Sequence, residues 1–302
     1  MEIDGLYSIL APLGAEKDVS MAAHTSFRIG GPAVLFFEPK DPAELLLALK
    51  KARELHIPVT LMGNGTNLLV RDGGVEGLVL KLGPRFSGFN LEGSLAVALA
   101  GTLLSSLAAA TVRAGYMGLE WAAGIPGTVG GALAMNAGAY GGDVKGALQW
   151  VEYLDMPTGK IEKRQPAEAE LGYRRSSFSW PERVVLRAAF RIEADDGQAQ
   201  ARMADYNQRR REKQPLQYPS AGSTFKRPPG HYAGALIEEA GLKGLSIGGA
   251  EVSRLHAGFI INRGGATCAD VLALIEQVQA RVLARSGVEL TPEIRLIGRD
   301  KA

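Results

Sequence analysis

Apolar residues recur at two spacings along the chain, and the changes between them mark out its elements. DPAELLLALKKARELH, Asp41 to His56, opens on an aspartate suited to an N-cap and carries apolar residues at helical spacing, which predicts an amphipathic helix. IPVTLMG, LLV and GLVLKL follow as short strands, with a turn at NGTN. SLAVALAG reads as a strand and LLSSLAAATVRAG as a helix stopped by glycine. QWVEYLDMPTGKIEK predicts a hairpin turning at Thr-Gly, and RVVLRAAFRIE a strand whose apolar run implies burial. ADDGQAQARMADYNQRRREKQP predicts a turn and a polar helix closed by Pro215, a natural boundary between regions. Beyond it, HYAGALIEEAGL and TCADVLALIEQVQARVLARSG read as helices, AGFIIN and EIRLIG as strands. In the longer helix Val271, Leu274, Ile275, Val278 and Val282 form one stripe facing a core. Thr267 and Asp270 make a capping pair for it. No internal repeat interrupts the pattern, which gives an α+β or mixed α/β class in two or three parts.

Composition changes this picture little. The 302 residues are 46% hydrophobic and 22% charged, enough apolar material for a sizeable core. A net charge of +2 gives no argument for a nucleic-acid partner. The one basic run, Arg209 to Lys213, is expected to be mostly a solvated helix face. Cys268 is the single cysteine, which excludes an intramolecular disulfide, and its helical neighbours predict a packed thiol. No segment approaches the roughly eighteen uninterrupted apolar residues of a membrane span. The stretch MEIDGLYSIL lacks a basic start followed by an apolar run, so no signal peptide is expected. A cytoplasmic monomer without membrane contact is the expectation.

The chemistry lies in three glycine clusters and three polar ones. The glycine clusters are RIGGPA (Arg28–Ala33), GNGTN (Gly63–Asn67) and GIPGTVGGALAMNAGAYGGD (Gly124–Asp143), the last with seven glycines and no lysine. GNGTNLL lacks the third glycine and following helix of a dinucleotide fingerprint, and no G-K-[S/T] of a phosphate loop occurs anywhere. One such cluster alone reads as a structural turn. Three together, with Asn and Thr among the glycines, point to a large cofactor whose pyrophosphate is cradled by successive backbone N–H groups. His24, His56, His231 and His256 show no metal-ligand spacing, so no metal site is expected. No G-x-S-x-G elbow of a serine hydrolase is present. The polar clusters are YRRSSF after a predicted short helix, PSAGSTFKRP around Ser223, and TPEIRLIG with Glu293 entering a strand. Singly they read as a surface arginine, a turn serine and a strand-end glutamate.

Taken together and in order, HTSFRIGGPA, GNGTNLLV, GLEWAAGIPGTVGGALAMNAGAYGGD, YRRSSF, PSAGSTFKRP and GVELTPEIRLIG resemble the UDP-N-acetylenolpyruvoylglucosamine reductase family of peptidoglycan synthesis. The resemblance covers nearly the whole chain. It implies an α+β fold: a two-subdomain FAD-binding part of the vanillyl-alcohol oxidase type, residues 1–85 and 86–198, and a substrate-binding C-terminal domain, residues 199–302. Carried over, FAD contacts fall on Arg28, Gly63, Asn64, Gly65, Thr66, Asn67, Gly124, Pro126, Gly127, Gly130, Gly131, Asn136 and Gly138. Thr66 stands in the loop where some relatives of this flavin fold carry a linking histidine, so the FAD is expected to be non-covalent. Bulk at Gly130 or Gly131 is expected to expel FAD before it unfolds the protein. The short spacing between Arg174 and Ser223 matches the type II branch, which lacks a substrate-covering loop and its tyrosine.

The implied reaction is reduction of an enolpyruvyl UDP-sugar by NADPH through the flavin. Hydride on the vinyl carbon leaves charge that spreads into the carboxylate, where preorganised donors help most. The resemblance assigns Arg174, Ser223 and Glu293 to catalysis: Arg174 faces the carboxylate, Glu293 donates in its acid form, and Ser223 protonates the carbon with Lys213 as a helper. Tyr173, Lys213, Lys226 and Arg227 are the implied substrate contacts. Two rivals keep the flavin: an oxidase or dehydrogenase of small alcohols or sugars, and a flavin-binding module without turnover. The Arg174, Ser223 and Glu293 set argues against both.

Overall fold

The stripe predicted at Asp41–His56 forms the helix Pro42–Glu54, with Asp41 Oδ1 accepting the Glu44 N–H at 2.9 Å. It buries Leu45 and Leu49 against the helix Glu2–Leu10, which buries Leu6 and Leu10. This computed structural model describes residues 2–167 and 170–301. The chain divides into two compact units and passes between them repeatedly. Met1–Ala15, Phe37–Asn64 and Leu80–Arg210 make the first; Glu16–Phe36, Gly65–Val79 and Arg211–Ala302 make the second.

The first unit is built on a five-stranded antiparallel sheet. Its order is Lys160–Arg164, Leu148–Asp155, Arg183–Arg191, Leu95–Leu99, Phe89–Glu92. Arg183–Arg191 lies in the centre and buries Val184, Val185, Leu186, Ala188, Ala189 and Phe190, as its apolar run, interrupted only by the exposed Arg187, predicts. The predicted hairpin turns where Asp155 Oδ1 accepts the Thr158 N–H at 3.0 Å and its hydroxyl at 2.7 Å, with Gly159 at φ 69°. The helix Val129–Met135 packs on the two central strands. The helix Ala199–Lys213 is tied in by Arg202, whose Nη2 lies 2.7 Å from Glu120 Oε1. Arg209, Arg211, Glu212 and Lys213 are exposed, as expected. Arg210 is not: it is half-buried, and desolvation lowers its pKa.

The second unit has a four-stranded antiparallel sheet in the order Ser220–Ser223, Phe259–Asn262, Ala250–Val252, Ser246–Ile247. The helices Ala233–Glu239 and Cys268–Ser286 share a core with it, in which Ile237, Ile260, Val271, Leu274 and Val278 are all but fully buried. The whole predicted stripe of the long helix is inside this core. A capping box of Thr267 and Asp270 starts the helix, and Gly287 at φ 70° ends it. The Asp72 carboxylate accepts the N–H groups of Cys268 and Ala269 at 2.8 and 3.1 Å, a favourable charge at a helix N-terminus. Burial pushes the Cys268 thiol up to about 12, which makes it an inert packed thiol. Leu68–Val70 pairs in parallel with Arg295–Ile297. No helix among the described residues is long and apolar enough to cross a membrane.

Replacing Thr267 with alanine should cost about 1 kcal/mol, read as a lower thermal midpoint. The backbone N–H of Thr267 holds the Asp270 carboxyl below its usual range. The depressed value means that this share of stability is present at neutral pH and is lost as acid brings the pH down through it. Thr267→Ala keeps this backbone N–H, so the variant's midpoint should retain most of the parent chain's dependence on acid pH.

Candidate active site

In the first unit the strand Val59–Met62 delivers Gly63 against the second glycine cluster. A Cβ on Gly63 would lie 2.3 Å from Thr128 Oγ1, so only glycine fits. Asn64 Nδ2 donates to the Pro126 carbonyl at 2.9 Å and laces the two loops together. Thr128 caps the helix Val129–Met135 by accepting the Gly131 N–H at 3.3 Å. The N–H groups of Val129 and Gly130 donate to Thr102 and Ala100 carbonyls, each at 2.8 Å. The Gly124–Asp143 stretch is therefore not one uniform cradle. Among the described residues, the N–H groups of Asn64, Gly127 and Thr128 donate to no protein acceptor, whereas those of Gly130 and Gly131 are taken.

Gly130 packs against the protein's own sheet. An added Cβ there would sit 3.1 Å from Ala100 Cβ and 3.3 Å from its carbonyl, so bulk meets the protein's own sheet first. Gly124 lies against the helix Ala199–Lys213, where a Cβ would come within 2.8 Å of Arg210 Cδ. Asn136 ends the helix Val129–Met135 at φ 41° with its amide fully engaged. Its Oδ1 accepts the Lys145 N–H at 2.9 Å, and its Nδ2 donates to the Gly172 carbonyl at 3.2 Å and to Asp143 Oδ2 at 3.3 Å. Gly138 opens a small hairpin in which a Cβ would lie 2.8 Å from Asp143 Cβ.

Tyr173 and Arg174 form the two-residue turn of a hairpin with only two residue pairs, Leu171–Ser176 and Gly172–Arg175. The short helix expected before them falls partly on residues 168 and 169, outside the described residues. Arg174 is half-buried at φ 53°, a left-handed backbone that costs a non-glycine residue about 1 kcal/mol or more and is concentrated at functional sites. Its guanidinium stands 5.2 Å from the centre of the Tyr173 ring.

The second unit holds the other predicted residues. Ser223, exposed, ends the strand Ser220–Ser223 after a bulge at Gly222, φ 77°. One residue on, the Thr224 carbonyl accepts the Glu293 N–H at 2.8 Å, and Phe225 bridges to Pro292. Asn67 Nδ2 donates to the Glu293 carbonyl at 3.2 Å, and the Asn67 carbonyl accepts the Arg295 N–H at 2.9 Å. The structure thus brings Asn67, Glu293 and the Ser223 strand together. Gly65, at φ 64°, and Thr66 offer N–H groups with no protein acceptor among the described residues. Arg28 is exposed at φ 55°, its turn held by Asn262, whose Nδ2 reaches the Phe27 and Arg28 carbonyls at 3.2 and 3.5 Å. Lys226 donates its N–H to Thr291, and the exposed Arg227 lies 3.8 Å over the Tyr232 ring. Lys213 is exposed at its helix end.

These loops suit a pyrophosphate: glycines too closely approached to bear side chains, and turn N–H groups left without protein acceptors. Residues 33–164 match an FAD binding domain model. Residues 214–297 match the model of the UDP-N-acetylenolpyruvoylglucosamine reductase C-terminal domain. The reductase of that name from Heliobacterium modesticaldum is 49% identical over 92% of this chain and 89% of its own length. The one from Caldanaerobacter subterraneus is 48% identical over 98% of each. The chain belongs to the UDP-N-acetylenolpyruvoylglucosamine reductase family. The crystal structure of the Thermus caldophilus reductase superposes with a TM-score of 0.81 at 36% identity, covering 93% of this chain and 98% of that one. Membership makes the chain an FAD-binding oxidoreductase of α+β fold.

Three residues that shape these loops were not singled out from the sequence: Thr128, Asn262 and Arg210. Each acts through a partner far along the chain or in an adjacent turn, and only spatial neighbours reveal it.

Gly130→Val should lower stability by about 1–3 kcal/mol through overpacking, with or without FAD. Thermal unfolding of both forms checks this. An unchanged FAD-free midpoint with lost FAD affinity would restore the opposite order of events.

Proposed function

We propose that the protein reduces UDP-N-acetylglucosamine enolpyruvate to UDP-N-acetylmuramate with NADPH, a step of peptidoglycan synthesis in the cytoplasm. The observation that carries the reading is the pinning of Glu293, at both backbone polar atoms, beside the strand that ends in Ser223. In the proposed division of labour residues 1–85 and 86–198 bind FAD and residues 199–302 bind substrate, and the protein acts as a monomer. When bound, FAD supplies two-electron chemistry that accepts hydride from NADPH and returns it to the substrate's vinyl carbon.

The chain's own residues do the rest. Asn64, Gly65, Thr66, Asn67, Gly124, Pro126, Gly127 and Gly138 hold the cofactor, without covalent attachment at Thr66. Gly130, Gly131 and Asn136 shape the wall of that cradle, and Arg28 contributes from its left-handed turn. Arg174, already in a strained turn, presents a planar cation to the substrate carboxylate, where negative charge accumulates. Glu293 donates a hydrogen bond to the same developing charge. Ser223 delivers the proton to the carbon next to the carboxylate, and Lys213 lowers the cost of its alkoxide. Tyr173, Lys226 and Arg227 contact the substrate, the cations facing its diphosphate. A polar trio that stabilises and then protonates a carbanion fits reduction better than alcohol oxidation, which needs a base.

Ser223→Ala should leave a yellow protein that NADPH bleaches at the parent rate and that substrate reoxidises about 100- to 10,000-fold more slowly. Stopped-flow absorbance follows both halves, and parental reoxidation would remove Ser223 from its role. If Glu293 works as a donor, Glu293→Gln keeps an N–H at that place and should retain clearly more turnover than Glu293→Ala. Equal losses in the two variants would contradict that assignment.

A further inference from the structure

The turn that carries Arg174 cannot hold its own shape. Its hairpin has two residue pairs, and isolated hairpins even of ordinary length are marginal in water. Its tip also keeps Arg174 in a left-handed backbone. The restraint comes from the hairpin's base. There the Glu170 carbonyl accepts the Ser177 N–H at 2.9 Å, and the Glu170 carboxylate accepts the Ser177 hydroxyl at 3.0 Å. The same carboxylate takes a two-pronged bond from Arg164, at 2.6 and 2.7 Å, a third from Arg183 at 3.2 Å, and the Ala167 N–H at 2.8 Å. Arg164 and Arg183 stand on strands of the five-stranded sheet. Arg183 also donates to the Ser177 carbonyl and hydroxyl, at 3.3 and 3.0 Å. Arg164 rests its Nε on Tyr153 Oη at 3.1 Å. The Arg164 bond chiefly holds the Glu170 carboxyl down to about 2, so the clamp is ionic at any ordinary pH.

We infer that Glu170 is a positioning residue for the reaction: it anchors the base of the 171–176 hairpin to Arg164 and Arg183 and thereby fixes the guanidinium of Arg174 toward the substrate carboxylate. The inference rests on the role of Arg174 given under Proposed function. The Glu170 carboxylate is engaged by Arg164, Arg183, Ser177 and the Ala167 N–H. Its effect passes through the two chain ends that it holds together, while Asn136 grips the hairpin from the Gly172 carbonyl. Displacing a catalytic group by about an ångström costs up to roughly 100-fold in rate, so loss of the clamp should appear in the step that Arg174 serves.

The test is a double-mutant cycle of Glu170→Gln and Arg174→Ala in the FAD-loaded enzyme, followed by stopped flow. Glu170→Gln should slow reoxidation by the enolpyruvyl substrate about 10- to 100-fold and leave bleaching by NADPH unchanged. Glu170→Asp, which keeps a carboxylate, should recover part of the loss. In the Arg174→Ala background, Glu170→Gln should change the rate less than threefold, about the scatter of independent additive effects. Equal slowing in both backgrounds, or slowing of both halves, would show a general structural role and overturn the inference. If Arg174→Ala alone reoxidises at the parent rate, the role of Arg174 fails, and the inference with it, for a separately visible reason. Should Glu170→Gln not fold, Ser177→Ala removes part of the clamp without stranding a charge. It should slow reoxidation several-fold, and a parental rate there would overturn the inference.

Discussion

The constraint on which the surroundings of Ser223 and Asn67 depend is the fixing of one residue's backbone. Glu293 gives its N–H to Thr224 and receives Asn67 Nδ2 at its carbonyl, which leaves its backbone no freedom to rotate. Through Thr224 this peptide sets the position of the Ser223 strand. Through Asn67 it sets the loop that holds Gly65 and Thr66. The roles proposed for Ser223 and Glu293 require fixed mutual geometry. Here that geometry rests on backbone groups, which have few conformations to choose among, rather than on long side chains.

The same economy recurs in the first unit. Asn136, Thr128 and Asn64 spend their polar groups on backbone partners, and Glu170 spends its charge on two arginines and a serine. Residues that look chemically ready in the sequence often serve as rigging. The groups offered outward are plain N–H donors at glycine-rich turns, which cannot change rotamer and need no reorganisation when an anion arrives.

Much of the fold was legible because it follows periodicity. The stripe of Val271 to Val282, the Asp41 and Thr267 caps and the Thr-Gly hairpin all lie where local pattern places them. The glycine clusters were legible as places of close approach, which admit no other residue. What the pattern could not show was which glycines present N–H groups and which merely pack. Gly130 belongs to the second kind because of Ala100, thirty positions away. Glu170 was silent for a related reason. The second glutamate of PAEAELGYRR follows no pattern, and its meaning lies in Arg164 and Arg183 on a sheet whose order only folding determines. Arg210 sits inside a basic run that looks uniformly solvated, and the Gly124 loop beside it is distant in sequence.

The interleaving of the two units bears on how the chain is made. Every segment of the first unit has been synthesised once Arg210 is added. Glu16–Phe36 and Gly65–Val79 must then wait, because Asn262, the Ser220 carbonyl that accepts from Ser26, and the helix at Cys268 all come later. The Phe27–Asn262 bond closes over 235 positions, a separation that slows folding. The strand Leu68–Val70 therefore spends the last third of translation without its partner Arg295–Ile297, its edge exposed to association with other chains. A ribosome that stalls late leaves the second unit without the sheet and helices of its last segment. Neither unit can be moved to another protein as a single length of sequence.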